Sequence, residues 1–386
     1  MLMELFYNIT KNKWLTDCKQ PLVFGKNNLP ILYEEDSSGV AFKVKRNKNK
    51  VGPVIAILTS KEGRQDFYGN RSTFKKIHHQ LQQTGGILFV MTPEGYQGEE
   101  IDGFLFIEGE WRKACLPLPD IIYNRVASYR AEEKLDEIRK MALQNAIPLY
   151  NPHFFNKWET YKQLLQNDLC KDYLPDTMVM DDFRKFTDWI EKYQTLIVKP
   201  VLSNRGNGVY LVKKNINHIE VTSNKVKNKY SSYGEAWEAL KSKLHAQTVI
   251  IQKHIALKQY LNRPYDLRIL VQRVKEHWGV TGIGVRWAGQ GSVTTHVPQG
   301  GSILPFETVS SGIDRQEIQK LAIQIANQLE LAYGYLCEFS IDLGVDEANQ
   351  LWIFEINSKP MQFDEPHIQG KALQTLIQCF YEDTGF

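Results

Sequence analysis

Three side chains with oxygen donors lie close together in the C-terminal stretch IDLGVDEANQLWIFEIN, which has the pattern of two strands joined by a polar turn. Asp342 belongs to the first strand, and Glu355 and Asn357 belong to the second. Residues two apart on a strand project from the same face, so a hairpin can bring Asp342 beside the other two. Two carboxylates and an amide oxygen are hard ligands that suit Mg²⁺, which keeps water and phosphate oxygens as its other ligands. The stretch therefore predicts a magnesium site that serves nucleotide chemistry.

A different interpretation is that these acidic side chains are solvated beside a hairpin turn. The composition of the second strand argues against it, because Leu351, Ile353, Phe354 and Ile356 predict a largely buried strand. A glutamate on such a strand is costly to bury unless a metal ion or a cation holds it. Glu355 is therefore a candidate metal ligand rather than a surface residue.

A second candidate site is the segment VKPVLSNRGNGV at 198–209, which reads as a strand, a glycine-containing loop and another strand. Gly206 and Gly208 would let backbone N–H groups face an anion. Lys199 on the preceding strand would add a positive charge. The segment is not a Walker loop, because no G-K-[ST] follows it. An ordinary hairpin turn is the alternative, and the lysine beside Pro200 on an otherwise buried strand favours phosphate binding.

A third candidate is the stretch TVIIQKHIAL at 248–257, which predicts a strand that ends at Gln252, Lys253 and His254. Where a strand passes into a linker, its alternating N–H and C=O groups can hydrogen-bond the edge of a purine. An ordinary core strand has the same pattern. The segment alone leaves both interpretations open.

Two arginines lie on the strands that follow. DLRILV places Asp266 and Arg268 on one face of a strand, and GIGVRW carries Arg286. Buried arginines need partners, and phosphate oxygens fit the fork of the guanidinium group. An ion pair with Asp266 or a neighbouring glutamate is the alternative for each arginine.

Composition and charge exclude several classes of protein. A chain of 386 residues is too long for one compact core, so we expect several domains. The formal net charge of +3 is small for this size and argues against nucleic acid as a partner. There is no apolar run of about 18 residues and no secretory signal, so we expect no membrane span. The five cysteines are scattered without metal or disulfide spacing, which fits a reducing, cytoplasmic compartment.

The pattern of apolar runs predicts how the chain is organised. Residues 1–50 read as short β segments. Buried strands at 51–58 and 87–91, with a helix between them, suggest a parallel α/β unit. A charged helix is predicted over about 130–145. We therefore expect a doubly wound α/β domain at 51–150.

The order of the motifs resembles the ATP-grasp superfamily: NKWETYK at a helix start, a VKP strand with a glycine loop, Q-x-x-I, D-x-R, a G-G pair and D…E-x-N. Several stretches are also similar to the spore-coat-associated YheC/YheD ATP-grasp family of bacilli, namely PDIIYNR, FFNKWETY, LPDT, DLRILV and LWIFEINSKP. The resemblance covers residues from about 51 to 370. It implies a mixed α/β and α+β fold. A doubly wound pre-ATP-grasp domain would precede an ATP-grasp lid subdomain at 151–252 and a metal-binding subdomain at 253–386.

The resemblance implies nucleotide-binding roles. Lys157 and Lys199 would contact the α- and β-phosphates of ATP, with Lys162 as the weaker alternative to Lys157. The loop at 203–208 would close over the triphosphate, and Gln252 with the residues after it would hold adenine. The full ATP-binding set is Lys157, Lys199, Ser203, Arg205, Gly206, Gly208, Gln252, Lys253, His254 and Ile255.

The resemblance also implies metal-binding and catalytic roles. The metal-binding set is Asp342, Glu355 and Asn357, and the catalytic set is Arg268, Arg286 and Lys199. The two arginines would face the γ-phosphate and an acyl phosphate. One position departs from the family pattern, because His296 stands where relatives often have asparagine, four residues before the G-G pair. Imidazole is a poor ligand for Mg²⁺, so this contact is in doubt.

The activity that the resemblance implies is ATP-dependent ligation. A small-molecule or peptide carboxylate would attack the γ-phosphate to give an acyl phosphate and ADP, and an amine or thiol would then displace phosphate. The alternative is a non-catalytic ATP-binding or structural protein of the spore coat. The resemblance further implies association of a cytoplasmic protein with the forming coat. The roles of Asp364, Glu365 and His367 and the oligomeric state stay open.

Overall fold

The computed structural model describes the whole chain except residues 36, 64, 203–207, 224–225, 245–246, 293, 296 and 361–362. Ser203, Arg205 and Gly206 of the predicted phosphate loop, and His296, therefore lie outside the described residues. None of the described helices combines the length and the hydropathy that a membrane span needs.

The first sheet is built from the short, alternating apolar segments that the sequence predicts at the N-terminus. Its strands are β1 (Leu2–Asn8), β2 (Lys13–Thr16), β3 (Val23–Phe24), β4 (Leu29–Pro30), β5 (Leu32–Tyr33), β6 (Val40–Asn47) and β7 (Lys50–Gly52). Within the described residues they lie in the order β4-β3-β7-β6-β1-β2-β5. Alternate residues such as Leu5, Tyr7, Phe42 and Val44 are buried, so one face of this sheet packs inward.

The second sheet follows at once and contains the predicted α/β unit. Its elements are β8 (Val54–Leu58), α1 (Arg71–Thr84), β9 (Ile87–Met91), β10 (Glu100–Ile107), β11 (Glu110–Pro117), β12 (Ile121–Asn124), α2 (Tyr129–Glu132), α3 (Asp136–Gln144) and β13 (Leu149–Tyr150). The strand order is β11-β10-β9-β8-β12-β13, and β8 is parallel to both β9 and β12. The chain passes from β8 to β9 on one side, and β12 later pairs with the other side of β8. This reversal of strand order opens a crevice at the carboxyl ends of β8 and β12.

Two local predictions in this region are wrong. The single strand predicted over 51–58 is two strands in different sheets, β7 and β8, separated by Pro53. Proline has no N–H group to donate to a neighbouring strand, so the pairing of β7 in the first sheet and that of β8 in the second are separated at Pro53. The helix predicted over about 130–145 is two helices, α2 and α3. The residues between them, 133–135, are not helical, and Leu135 is the N-cap of the second helix.

The third sheet is antiparallel and covers the predicted lid. The elements from residue 157 to 253 are α4 (Lys157–Leu165), β14 (Thr177–Val179), α5 (Phe183–Tyr193), β15 (Thr195–Pro200), β16 (Tyr210–Lys214), β17 (Ile219–Ser223), β18 (Val226–Tyr230), α6 (Tyr233–Leu244) and β19 (Val249–Lys253). The strands lie in the order β14-β19-β15-β16-β17-β18. Phe186 of α5 and Leu240 of α6 pack with Val198 and Ile251 in one core, so both helices cover the same sheet.

The fourth sheet carries the C-terminal motifs. The elements that form or cover it are β20 (Gln259–Tyr260), β21 (Arg263–Val274), β22 (His277–Trp287), β23 (Ser302–Leu304), α7 (Arg315–Tyr333), β24 (Glu338–Val345), β25 (Leu351–Asn357) and α8 (Pro366–Thr384). The strand order is β23-β22-β21-β24-β25, with β20 paired to β21. Short 3₁₀ turns elsewhere in the chain cover Pro93–Gly95, Lys171–Tyr173, Val297–Gln299 and Phe306–Thr308.

The two faces of the fourth sheet differ in polarity. Leu267 and Ile269 of β21 and Ile341 of β24 are buried in a core that they share with α7. Because side chains alternate along a strand, Arg268 and Asp342 project from the opposite face. Every charged side chain of the predicted catalytic and metal sites on these strands is therefore placed on one face of the sheet.

Several cores cross the predicted domain boundaries. Leu164 of α4 belongs to the same core as α7 and the fourth sheet. Phe380 of α8 is fully buried against the second sheet, with its ring centroid 5.8 Å from that of Tyr150. The boundaries at 50, 150 and 252 stay a prediction, since the packing joins neighbouring sheets instead of separating them.

We expect Phe380→Ala to lower the free energy of unfolding by about 3–5 kcal/mol, because it leaves a cavity between α8 and the second sheet. Chemical denaturation checks this. Gln378→Ala, at an exposed position of the same helix, is the control and should change the value by about 0.5 kcal/mol or less. A neutral Phe380→Ala would contradict the docking of α8 on that sheet.

Candidate active site

The C-terminal hairpin brings the three oxygen donors together. Asp342 of β24 pairs directly with Glu355 of β25, and the neighbouring pair on the same face is Ser340 with Asn357. A register shift follows Asp342, and it leaves Phe354 as the extra residue of β25. Asp342, Glu355 and Asn357 all line a cavity of about 850 Å³. They are the hard donor set that the sequence predicts, on the wall of a space large enough for a ligand.

Both carboxylates have cations beside them. The Nζ of Lys157, at the first turn of α4, is 3.2 Å from Oε1 of Glu355. A guanidinium nitrogen (Nη1) of Arg286 donates to Oδ2 of Asp342 over 3.2 Å. Asp342 is buried and Glu355 is partly buried, and burial removes water that would otherwise stabilise their charge. The helix start NKWETYK thus brings Lys157 beside the metal-ligand candidates, and its contact with phosphate stays a prediction.

Arg286 is held between two carboxylates on adjacent strands. Its Nε and Nη2 donate to the two oxygens of Asp266 over 2.9 and 2.7 Å, in addition to the contact with Asp342. The hydroxyl of Thr295 also donates to Asp266, over 2.7 Å. Burial alone would lower the pKa of Arg286, but the two carboxylates outweigh it and raise the pKa above its ordinary value. The arginine therefore stays charged and fixes Asp342 in place.

Lys199 connects the third sheet to the fourth. Its buried Nζ donates to Oε1 of Gln252 over 3.1 Å and to the backbone carbonyl of Phe354 over 3.0 Å. Burial lowers its pKa to about 8, although the nearby charge of Glu355 opposes the effect. Among the described residues no carboxylate forms an ion pair with this lysine. Its ammonium is thus poorly solvated and lies next to the candidate metal ligands.

Arg268 is the cation with the fewest partners in the site. It lies on β21 between Asp342 of β24 and Gly284 of β22 in the register of the sheet. Its buried Nε makes no hydrogen bond to any described residue, and its guanidinium carbon is 5.3 Å from the ring centroid of Phe363. Burial lowers the pKa of this arginine. A buried guanidinium on a cavity wall is an attractive partner for a phosphate or carboxylate group.

The charges named so far do not balance. The cations are Lys157, Lys199, Arg268 and Arg286, and the carboxylates are Asp266, Asp342 and Glu355. Within this set of described residues the positive groups exceed the negative ones by one. The arrangement can hold an anion at the cations while the carboxylates and the amide of Asn357 hold a divalent metal ion.

The predicted adenine segment is placed beside the lysine. Gln252 is buried, and its Nε2 donates to Oγ1 of Thr177 over 2.9 Å while its Oε1 accepts from Lys199. The N–H groups of Lys253 and His254 donate to backbone carbonyls at residues 176 and 195. Ile255, which follows, is buried. In the structure, the Gln252 side chain therefore contacts Lys199. Adenine binding by Gln252, Lys253, His254 and Ile255 stays a prediction.

Gly208 is the described end of the predicted phosphate loop. Its φ of 72° lies in the left-handed region, where residues with a side chain are strained. A Cβ at this position would also be 3.0 Å from Cγ of Pro200, the residue after Lys199. Both observations give a physical reason for glycine next to the strand that carries the lysine.

Two cavity cations were missed by the sequence reasoning. Arg125 directly follows β12, where its Nη2 donates to the carbonyl of Pro360 over 2.9 Å and its Nη1 lies 3.4 Å from Oε1 of Glu338. Lys359 forms a buried ion pair of 2.6 Å with Glu132 of α2. One sequence signal could have identified Arg125. It follows the carboxyl end of a parallel strand, at the crevice of the second sheet, where ligands of such sheets bind.

The fold and the site can be compared with known proteins. Residues 146–382 match the family model described as YheC/D like ATP-grasp. Endospore coat-associated protein YheD of Bacillus subtilis is 25% identical over 82% of this chain and 75% of its own length. Tetrahydromethanopterin:alpha-L-glutamate ligase of Methanocaldococcus jannaschii is 27% identical over 61% of this chain and 72% of its own length.

A solved structure supports the same fold. D-alanyl-alanine synthetase A from Vibrio cholerae O1 biovar El Tor aligns with a TM-score of 0.52 at 13% identity, over 86% of this chain and 99% of its own. At this identity the likeness concerns the fold alone, and it confirms the predicted α/β and α+β fold class. Because the family model spans more than half of the chain, this protein belongs to the YheC/D-like ATP-grasp family.

Proposed function

We propose that the protein is an ATP-dependent carboxylate–amine or carboxylate–thiol ligase that works through an acyl phosphate with Mg²⁺. The observation that carries the proposal is the polar face of the fourth sheet. There, Asp342, Glu355 and Asn357 line one cavity together with Arg268 and Arg286. The similarity to tetrahydromethanopterin:alpha-L-glutamate ligase supports a ligation reaction.

The donor set fits Mg²⁺. Asp342, Glu355 and Asn357 offer only oxygen, which is the ligand type that this ion prefers. When bound, Mg²⁺ supplies charge neutralisation and orientation for the phosphate oxygens of ATP. Lys157 and Arg286 contact the two carboxylates, so a metal ion there would leave the ammonium of Lys157 to contact phosphate. Arg286 would keep its two hydrogen bonds to Asp266 and go on orienting Asp342.

Lys199 is the cation that we place on the α- or β-phosphate. Its burial beside the carbonyl of Phe354 lowers its pKa, because the charged ammonium is poorly solvated there. A bound polyphosphate would therefore stabilise the charged form. Gly208 and the loop before it would close over the same phosphates. Gln252 would hold the lysine in position from the far side.

Arg268 is the cation that we assign to the chemical step. The substrate carboxylate attacks the γ-phosphorus, the bond to the β-phosphate oxygen breaks, and ADP leaves with the electron pair. Negative charge then lies on the transferred phosphoryl oxygens and on the acyl phosphate. A preorganised, water-poor guanidinium stabilises such charge more than one that already has partners. Positioning and charge neutralisation suffice for this step, so no nucleophilic serine or cysteine is needed.

The carboxylate substrate would bind where the second sheet faces the fourth. The cavity wall includes Arg125 and Tyr129, which follow β12, and Gly69 and Asn70, which precede α1. This is the crevice at the carboxyl ends of β8 and β12, where ligands of open α/β sheets bind. The second sheet therefore contributes to substrate choice while the fourth supplies the catalytic charges.

The biological setting follows from the relatives. The similarity to an endospore coat-associated protein supports a cytoplasmic role linked to formation of the spore coat. A non-catalytic ATP-binding or structural protein of the spore coat is the competing function. A purely structural protein would retain Lys199 and Arg268 in poorly solvated positions without a ligand to compensate them, which favours a protein that binds an anion such as ATP.

We expect the protein to release ADP from Mg·ATP only when a suitable carboxylate is added, in a screen of small-molecule and peptide carboxylates. Glu355→Ala should lower this rate by about 10²–10³, because it removes one preorganised electrostatic contact. Glu347→Ala, exposed on the turn of the same hairpin, should keep the parent rate. ATP binding without carboxylate-dependent ADP release would favour the non-catalytic role. Equal rates in the parent and Glu355→Ala would contradict the metal assignment.

Nucleotide binding should depend on pH through Lys199. Its pKa is lowered to about 8 by burial, and a bound phosphate favours the charged form and raises it. Mg·ADP binding at pH 8 should therefore take up about half a proton per site, while binding at pH 6.5 takes up almost none. Calorimetry in two buffers of different ionisation enthalpy measures this.

The matched control for the proton uptake is Lys199→Arg. Arginine stays charged throughout this pH range, so the uptake should largely disappear in the variant. Proton uptake that is absent in the parent protein, or unchanged in Lys199→Arg, would show that Lys199 does not contact the phosphates.

A further inference from the structure

Glu365 is a half-buried carboxylate on the cavity wall that no predicted role explains. It precedes α8, and its Oε1 occupies the space above Gly284 of β22, where a Cβ would be only 2.8 Å away. Gly284 is the register partner of Arg268. The missing side chain of this glycine thus lets a carboxylate approach the strand pair that carries the catalytic arginine.

Glu365 and Arg268 are not paired with each other. In the described part of the chain, neither side chain forms an ion pair or a hydrogen bond. Other cavity cations are already engaged, since Lys359 pairs with Glu132 and Arg125 contacts Glu338. Among the described residues, the cavity wall therefore offers a ligand the guanidinium of Arg268 and, at separate points, the carboxylates of the half-buried Glu365 and of its exposed neighbour Asp364.

Glu365 also lies where two cavities meet. A second cavity of about 450 Å³ shares Ile303, Glu365 and Ile368 with the larger one. Its wall includes the apolar side chains of Leu304 and Phe306. A ligand with its charged end at the carboxylate therefore has room for a sizeable tail on the side away from the metal candidates.

We infer that Glu365 binds the protonated amine of the acceptor substrate, with the rest of that substrate in the second cavity. The inference rests on the proposed ligase function and narrows it, because it selects an amine over a thiol. An ammonium group forms charge-assisted hydrogen bonds with a carboxylate. A thiolate would be repelled by the same group.

The amine step balances with this assignment. The ammonium held by Glu365 loses one proton to solvent, and its nitrogen then attacks the acyl carbon of the acyl phosphate. The bond from that carbon to the phosphate oxygen breaks, and phosphate leaves with the electron pair. The second proton passes from nitrogen to the leaving phosphate, and an amide is formed. Glu365 positions the nitrogen, and Arg268 holds the phosphate that leaves.

The direct test measures amine binding by calorimetry in the presence of Mg·AMP-PNP. The probes are L-amino acid amides, which carry a cationic amine and no carboxylate. Glu365→Gln keeps the shape of the side chain and removes its charge, so we expect binding weakened about tenfold or more. Amides with large apolar side chains should bind more tightly than glycinamide. Glu382→Gln, an exposed carboxylate on α8 that lines neither cavity, is the control and should bind like the parent.

A second measurement separates this inference from the ligase proposal. Hydroxylamine is uncharged near pH 7.5 and traps an acyl phosphate without an ammonium site. Glu365→Gln should form hydroxamate from ATP and a carboxylate at the parent rate, while the KM for an amine acceptor rises about tenfold.

Each outcome decides one of the two proposals. If the parent forms no hydroxamate with any carboxylate, the ligase function fails, and the binding data alone decide the role of Glu365. Equal amine binding by the parent and Glu365→Gln would overturn the inference, as would the absence of amine binding to the parent.

Discussion

The structure depends on one electrostatic constraint: the carboxylates of the buried Asp342 and the partly buried Glu355 need positive charge beside them. Arg286, two strands away in the same sheet, and Lys157, on a helix, provide it. Both partners come from sequence positions far from the hairpin, so the requirement ties α4 and β22 to the same point. In the nucleotide complex that we propose, Asp342, Glu355 and Asn357 would hold Mg²⁺, which would add positive charge beside the same carboxylates, and Lys157 would contact phosphate.

The same constraint explains how the sheets are coupled. Lys199 reaches from β15 to the carbonyl of Phe354, the extra residue of β25. This contact joins the sheet that would cover the nucleotide to the strand that carries the metal candidates. On the other side of the cavity, the buried pair of Lys359 and Glu132 joins the exit of β25 to α2. These charged contacts therefore add to the apolar cores that already join neighbouring sheets.

Local patterns in the sequence predicted much of the fold. The alternation along β21 and β25 predicted that Asp266 shares a face with Arg268 and that Glu355 shares a face with Asn357, because strand periodicity is a property of neighbouring residues. The strand that carries Lys199 and the helix start at NKWETYK were also predicted correctly. The errors arose where pairing is non-local. The split of the 51–58 strand depends on which sheet each half joins, and no local pattern records that.

The contacts of single side chains were harder to predict. The contact of Gln252 with Lys199 was not predicted, because it depends on the register of β15 and β19, and the expected contact of Gln252 with adenine stays a prediction. Arg125 and Lys359 were not assigned to the cavity, since their partners come from distant parts of the chain. The proposed role of Glu365 depends on Gly284 of β22, which lies some 80 residues earlier in the chain (365 − 284 = 81). Such pairs appear only when the sheets are assembled.

The most direct test of the central claim is a crystal structure with Mn²⁺ and AMP-PNP, read by the anomalous signal of manganese. The account predicts a manganese ion bound by Asp342, Glu355 and Asn357, with Lys157 and Lys199 on phosphate oxygens. Manganese bound elsewhere, or a nucleotide whose phosphates lie away from these three residues, would contradict it.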